Sequence, residues 1–564
     1  MSTSQKRCTG KDGRVVTIRS KCLVSCQSLL ACVVFAVSFG CSRDEYRPDV
    51  VTNDSPRDGG TLVRRIGTDV VTLNPIRAIT ATDRQIHKYL YSPLVYLDAH
   101  LHPVPGLAKS WTISPDGLLY RFELNERATF SDGSPVRATD VLFTLRKVAD
   151  STSEAPQVAG FFEQLDLART RVSDEHTIEV AFERPLAAQL IHFADLLVLS
   201  ERVYSTGDFN RDYNDLAVGS GPYKLVKREQ GKEIVVTRRE DYWREKPHIQ
   251  TVVFKVIADH GSAWNALKLG LIDETIISSD NWLRERANPA VTSIVDFKQF
   301  YTLNYNFIAW NNRSPILSDK RVRRALAMCV PTEPVIRSVY HGTARAISGP
   351  FTPDEYAYNP SVPLIGFDLA EAKRILESAG WVDRDADGVL DKDGKKFELE
   401  LLIMPGSSAT NQFTQIVQAE MKKVGVAIEI RAMDSAALMQ QVRAGNFDSA
   451  YLGWELDADP DPHSLFHSSQ FPPKGQNFVY YSNPEADRLI EYARRELDPT
   501  RRKAMYWRLH ELLAEDQPYT WTVQASMKRA STKRLRGVLS SRGYGPFLWY
   551  PGEFNWWLAP ASPE

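Results

Sequence analysis

The chain has 564 residues, 43% of them hydrophobic and 25% charged, a globular composition on a length beyond what one hydrophobic core can serve. Two or more lobes are therefore expected. Lys and Arg total 69 against 70 Asp and Glu, a formal net charge of −1, which leaves no electrostatic case for nucleic acid or for a polybasic membrane contact.

At the amino terminus, Lys6, Arg7, Lys11, Arg14, Arg19 and Lys21 precede an apolar run from Leu29 to Phe39 that ends in Ser38-Phe39-Gly40-Cys41. A positive leader, a short apolar core and small residues before a cut describe an export signal. The apolar core is short for a membrane span. Residues 42–58 are polar and contain proline, and read as a tether. Five of the six cysteines (Cys8, Cys22, Cys26, Cys32 and Cys41) fall in the leader, so Cys329 is alone in the body. A single thiol closes no internal disulfide, and its place in the run Ala325–Val330 predicts a buried, inert side chain. No stretch after residue 41 is apolar enough for long enough to span a bilayer, so a soluble mature body is expected.

From Gly59 onward, short β-type runs alternate with helical periodicity, the pattern of an α/β or mixed chain. Strands are predicted over 119–124, 177–182, 233–237, 251–257, 398–402 and 427–431. Helices are predicted over 138–148, 262–269, 320–328, 369–379, 409–424, 436–444, 484–496 and 500–515. Thr139-Asp140 and Asp368 are the expected caps of two of these helices, and Gly380 the expected left-handed stop of the second. Leu107 and Trp111, four apart, suggest one helical face. Ser114-Pro115-Asp116-Gly117 has the chemistry of a β-turn.

Several segments stand in a definite order. Pro105-Gly106-Leu107-Ala108-Lys109-Ser110-Trp111 comes first, followed by Phe130-Ser131-Asp132-Gly133-Ser134-Pro135 and then Gly219-Ser220-Gly221-Pro222-Tyr223. Asp241-Tyr242-Trp243, Ala266–Asp273, Asp319–Leu326 and Ala379-Gly380-Trp381 come after. Taken together they resemble the family 5 extracellular solute-binding proteins, the dipeptide- and oligopeptide-binding receptors of ATP-driven (ABC) importers, along roughly residues 59 to 530. The Gly40-Cys41 ending likewise resembles a lipobox, with Ser38 where Leu is usual. That implies a diacylated Cys41 at the mature amino terminus.

The resemblance implies a large two-lobed α/β fold of the periplasmic-binding-protein type (cluster C-like), with an extra subdomain in lobe I. Residues 1–41 would be the signal, 42–58 the tether and 59–304 lobe I. Lobe II would be a long insertion over 305–527, and 528–564 would return to lobe I. In the peptide-binding relatives an Asp three residues after a Gly-Trp receives the ligand's amino terminus. Carried onto Gly453-Trp454-Glu455-Leu456-Asp457, this gives the role to Asp457, with Trp454 as a pocket wall. The Asp-Pro that follows arrives one residue later than usual, so Asp459 and Asp461 stay open as counterparts. Trp310 and Asn311 end a strand expected to cross between lobes, and either face ligand or pack the hinge. Arg321, Arg323 and Arg324 either form helical ion pairs or reach a ligand's carboxyl end.

Asp383, Asp385, Asp387 and Gly388 begin like a calcium loop, but Gly394 stands where a bidentate Glu is required. His463 and His467 are four apart with no third metal ligand evident. No metal, cofactor or catalytic set is expected. The expected partners are a peptide or another small solute (a nickel complex, an oligosaccharide), the permease and ATPase of an ABC importer, and a membrane, inner or outer, reached by a lipid anchor, with the body facing the outside of the inner membrane. The expected state is monomeric. An envelope sensor is the alternative from another class.

Overall fold

The computed structural model describes residues 55–560. Cys41 and the export signal lie outside the described residues. Three sheets carry the architecture. A seven-stranded mixed sheet runs in the order Val295–Phe300, Met527–Thr532, Glu274–Ile276, Thr61–Ile66, Thr251–Val256, Glu233–Arg238, Tyr223–Glu229. A four-stranded antiparallel sheet, Ala108–Ile113, Leu119–Leu124, Thr177–Phe182, Leu165–Asp174, forms a subdomain beside it. The third sheet has five strands in the order Ala427–Ala432, Glu398–Ile403, Ser449–Glu455, Asn304–Trp310, Tyr519–Trp521. The first two belong to lobe I and the third to lobe II of a two-lobed α/β receptor fold.

Local chemistry explains most elements. Thr61–Ile66 alternates between covered and more exposed side chains, the period-two pattern of a strand. Thr177–Phe182 is buried at every position because protein covers both of its faces. In Asn304–Trp310 the alternation splits two cores: Tyr305, Phe307 and Ala309 face one, Ile308 and Trp310 the other. Asp319 caps Lys320–Met328 by accepting from the Arg321 amide, and Asp368 caps Leu369–Ser378 through the Glu371 amide. Gly380 follows at φ 92°, a left-handed stop that a side chain would strain.

Two local expectations fail. Leu107 and Trp111 do not share a helix, because Ala108–Ile113 is a strand paired with Leu119–Leu124. An interval of four also returns a side chain to the same face of a strand, so the spacing did not discriminate. Thr139 is no cap either. Arg137 holds the cap position of Ala138–Ala149, and the Asp140 carboxylate accepts from its amide at 2.7 Å and from the Glu201 amide at 2.8 Å.

The chain passes between the seven-stranded and five-stranded sheets twice, from Phe300 to Asn304 and from Trp521 to Met527. The segment 541–545 packs against these crossings. The Leu303 amide donates to Gly543 O at 2.8 Å, and Gln524 Nε2 donates to Thr302 O at 2.7 Å. Gly543 sits at φ 91°, and a Cβ there would come within 2.7 Å of the Leu303 side chain. Only glycine lets the segment lie this close.

Cys329 is fully buried, and burial pushes its thiol up to about 12. His510 is also fully enclosed. Its Nδ1 accepts from the Asn359 amide at 3.0 Å, its Nε2 lies 3.1 Å from Ser348 Oγ, and a Cβ on Gly349 would meet its ring at 2.2 Å. Burial lowers its pKa to about 4 from 6.5. A depressed folded pKa gives stability that is present above pH 6.5 and lost as pH falls toward 4, worth about 3 kcal/mol for a shift of this size. The gap in unfolding free energy between wild type and His510→Gln is therefore expected to shrink as pH falls from 7 to 4. Denaturant titrations across that range measure it, and a gap that stays constant would contradict a neutral buried imidazole.

Candidate functional site

The loop after Ser449–Glu455 holds the candidate ligand residues. It leaves the five-stranded sheet beside the crossing, where the Leu456 amide donates to Leu303 O at 2.7 Å. Three aspartates follow, and the protein treats each differently. Asp459 is buried and takes a bidentate bond from Arg502, with Nη1–Oδ2 and Nη2–Oδ1 both at 2.7 Å, plus a bond from Tyr356 Oη at 3.0 Å. Asp461 accepts from Arg494 Nε at 2.8 Å and from the His463 amide at 3.1 Å. Asp457 has no hydrogen bond or ion pair among the described residues. Its side chain is exposed by surface area while protein surrounds it on most sides, the situation of a group on the wall of a cleft.

That surrounding protein acts on its charge. Burial, then the carboxylates of Asp195 and Asp461, push the Asp457 pKa up to about 6, against the pull of Arg84. Asp195 and Arg84 belong to lobe I, so the two lobes meet electrostatically at this carboxylate. Tyr544, in the segment packed on the crossings, puts its hydroxyl against the backbone of Ala458. Burial and then Asp195, Asp457 and Glu355 hold that phenol well above its ordinary range. Glu355 is itself buried, and desolvation raises it to about 8, so it is protonated at neutral pH. Lys88 lies one turn beyond Arg84 on the helix Ala81–Leu90. It is half-buried and forms no hydrogen bond or ion pair among the described residues. Burial lowers its pKa, while Asp195 and Glu553 favour its charged form.

The other expected positions are placed as follows. Trp454 is half-buried; it stacks on Phe307 with centroids 6.2 Å apart and donates from Nε1 to Tyr519 Oη at 3.4 Å. Phe478 backs it at 5.9 Å, which gives the segment 475–480 a packing role. Trp310 is 1% exposed and its Nε1 donates to Thr520 Oγ1 at 2.9 Å, so its ring is committed to the lobe II core. Asn311 is buried too, donating to Phe447 O at 2.8 Å and Gly445 O at 3.2 Å. Of the two alternatives for this strand end, its geometry is that of a packed strand. Arg321 pairs with its own cap, Asp319, at 2.7 Å. Arg323 is buried and donates to the carbonyls of Leu317, Ser318, Asp516 and Gln517, tying two helices together. Arg324 is exposed. The carboxylates of Asp383, Asp385 and Asp387 lie within 4.8 Å of one another, and Lys396 Nζ binds Asp385 at 2.6 Å and Asp387 at 2.8 Å.

Asp195, Arg84, Lys88 and Tyr544 were not singled out from the sequence. Asp195 did carry a signal: it is the one acid inside the apolar run Phe193–Leu199. Arg84 and Lys88 look like any exposed helical pair, and nothing local marks Tyr544.

A buried pair broken on one side leaves the partner charged and unsolvated, which costs about 3–5 kcal/mol. Asp459→Ala is therefore expected to lower thermal stability markedly by stranding Arg502. Asp457→Ala removes no bond and should leave the melting temperature nearly unchanged. Calorimetric melting of the two variants separates these roles, and equal losses would contradict them.

No helix among the described residues is long and apolar enough to cross a membrane. Residues 102–477 match the family described as bacterial extracellular solute-binding proteins, family 5 Middle. The chain is 28% identical over 556 residues to the oligopeptide-binding protein AppA of Bacillus subtilis, covering 96% of this chain and 99% of that protein. It is 26% identical over 526 residues to the nickel-binding periplasmic protein of Escherichia coli, covering 91% and 94%. The solved structure of B. subtilis AppA in complex with a nonapeptide superposes with a TM-score of 0.74 at 27% identity, over 90% of this chain and all of that one. This chain therefore belongs to the family 5 bacterial extracellular solute-binding proteins, a family of substrate-binding proteins of ABC transporters rather than enzymes.

Proposed function

We propose that the protein is a lipid-anchored, monomeric substrate-binding component of an ABC importer. It captures di- and oligopeptides between lobe I and a lobe II of residues 305–527, and delivers them to a membrane permease. The observation that carries this is Asp457, the one aspartate of its loop that the protein leaves unpaired. A carboxylate ringed by protein and short of a counter-charge is suited to the α-ammonium of a peptide, since their attraction strengthens as water is excluded. The likeness to an oligopeptide-binding protein over nearly the full length supports the same reading. Trp454, stacked beside the loop, supplies an apolar wall. Broad tolerance of side chains follows if the ligand backbone is held as an added strand. The similarity to a nickel-binding protein keeps a second reading, a small metal complex in the same cleft.

The test begins with a pool of short peptides, screened by native mass spectrometry to find a binder. Removing the carboxylate from a desolvated charge pair costs roughly 2–5 kcal/mol. Asp457→Ala is thus expected to weaken that binder by about 30-fold or more. Acetylating the peptide's amino end should weaken wild type similarly, and the mutation should then add little. A calorimetric double-mutant cycle reads this coupling; additive losses would place the amine elsewhere. If no peptide binds, the metal-complex reading takes over.

Anchoring is tested separately. Mass spectrometry of the protein from its own envelope is expected to show a diacylated Cys41 as the first residue. An unmodified Cys41 with residues 1–40 retained would refute the lipoprotein assignment.

A further inference from the structure

The lobe I segment before and through Asp195 lies directly against lobe II. The Ala187 amide donates to Arg494 O at 2.8 Å, and the same Arg494 holds Asp461 through Nε at 2.8 Å. Nearby, a Cβ on Gly117 of the subdomain would come within 3.2 Å of Pro185 and 3.1 Å of Leu497 of lobe II. The short helix Gln189–His192 is fixed on its own side by His192, which stacks on Phe161 with centroids 4.6 Å apart. Asp195 follows three residues after that helix ends, in an otherwise apolar run, with its side chain exposed.

Asp195 has no hydrogen bond or ion pair from its side chain among the described residues, and neither has Asp457. Among charges, Asp195 is the strongest influence on Asp457. Two unpaired carboxylates from opposite lobes thus both act on the Tyr544 phenol. The other acids there are neutralised in place, Asp459 by Arg502 and Asp461 by Arg494. Arg84 and Lys88 on Ala81–Leu90 temper the pair, and Lys88 does so without closing an ion pair. Like charges facing each other across a closing cleft repel, and a cation between them reverses the sign of the interaction.

We propose that Asp195 is a second anchor for the ligand's cationic end, acting from lobe I opposite Asp457, so that one ammonium is held by both lobes at once. This rests on the reading that a ligand amine meets Asp457, and it adds a residue, a lobe and a consequence. A ligand neutral at this end leaves two carboxylates face to face and disfavours closure. A cationic end bridges the lobes, so its charge selects the ligand.

The experiment uses the full chain and the peptide found in the pool, with its amino end free or acetylated. Asp195→Asn is isosteric and exposed, and its melting temperature should match that of wild type. It is expected to weaken the free-amine peptide about tenfold while leaving the acetylated form within about twofold. Asp195→Glu should retain most of the affinity. Equal losses on both peptides, or no loss on the free amine, would overturn the proposal. Asp457→Asn is measured in parallel. If it weakens the free-amine peptide while Asp195→Asn does not, only the second anchor falls. If neither variant matters, the amine reading beneath it falls too.

Discussion

Two arginines determine what the loop after Trp454 is able to do. Arg502, from the helix Pro499–Asp516, holds Asp459 with two bonds in a buried site, and Arg494 holds Asp461. Without them, an acidic loop at the edge of a cleft would repel itself and swell into solvent. With them, the loop is fixed in shape and, of its three aspartates, only Asp457 stays unpaired. The pairing leaves Asp457 alone and keeps it in place. A bidentate guanidinium is well suited to this, since its planar fork fixes orientation as well as charge.

The neutral overall composition conceals this local arrangement. A net charge of −1 over 564 residues says nothing of where the unpaired groups are. Burial and then the unpaired Asp195 and Asp457 raise the pKa of the Tyr544 phenol. In lobe I the reverse is done. Arg64 is fully buried and is met by Glu274 and Glu553, with the Phe547 and Trp556 rings beside it. One set of charges is satisfied and structural, and the other is left incomplete where the two lobes face each other.

Much of the fold could be read from the sequence because each element announces itself locally. Thr177–Phe182 and Lys320–Met328 fall where β-branched runs and capped apolar periodicity place them. The misreading at Leu107–Trp111 came from a spacing that both periods satisfy. The site was harder to read. The family resemblance pointed to Asp457 with Asp459 and Asp461 open, and what sets the three apart in the fold is Arg494 and Arg502, more than thirty residues away. For Trp310 and Asn311 the sequence left facing ligand and packing the hinge equally open, and they lie beneath packing contributed by Thr520 and Phe447, which no local pattern reveals. Asp195 came to notice only when the fold set a lobe I segment against lobe II.

The hinge geometry has a mechanical corollary. Tyr544 is bridged to Thr302, and Leu456 is bonded to Leu303, so the Asp457 end of the cleft sits beside the two crossings. Any rotation of lobe II about those crossings displaces an atom in proportion to its distance from them. Groups next to the axis therefore approach one another over a short travel, while the distant rim sweeps through the largest arc. The near end then closes through small displacements, and the width of the gap between the lobes varies most at the far rim, where a few degrees of rotation change it most.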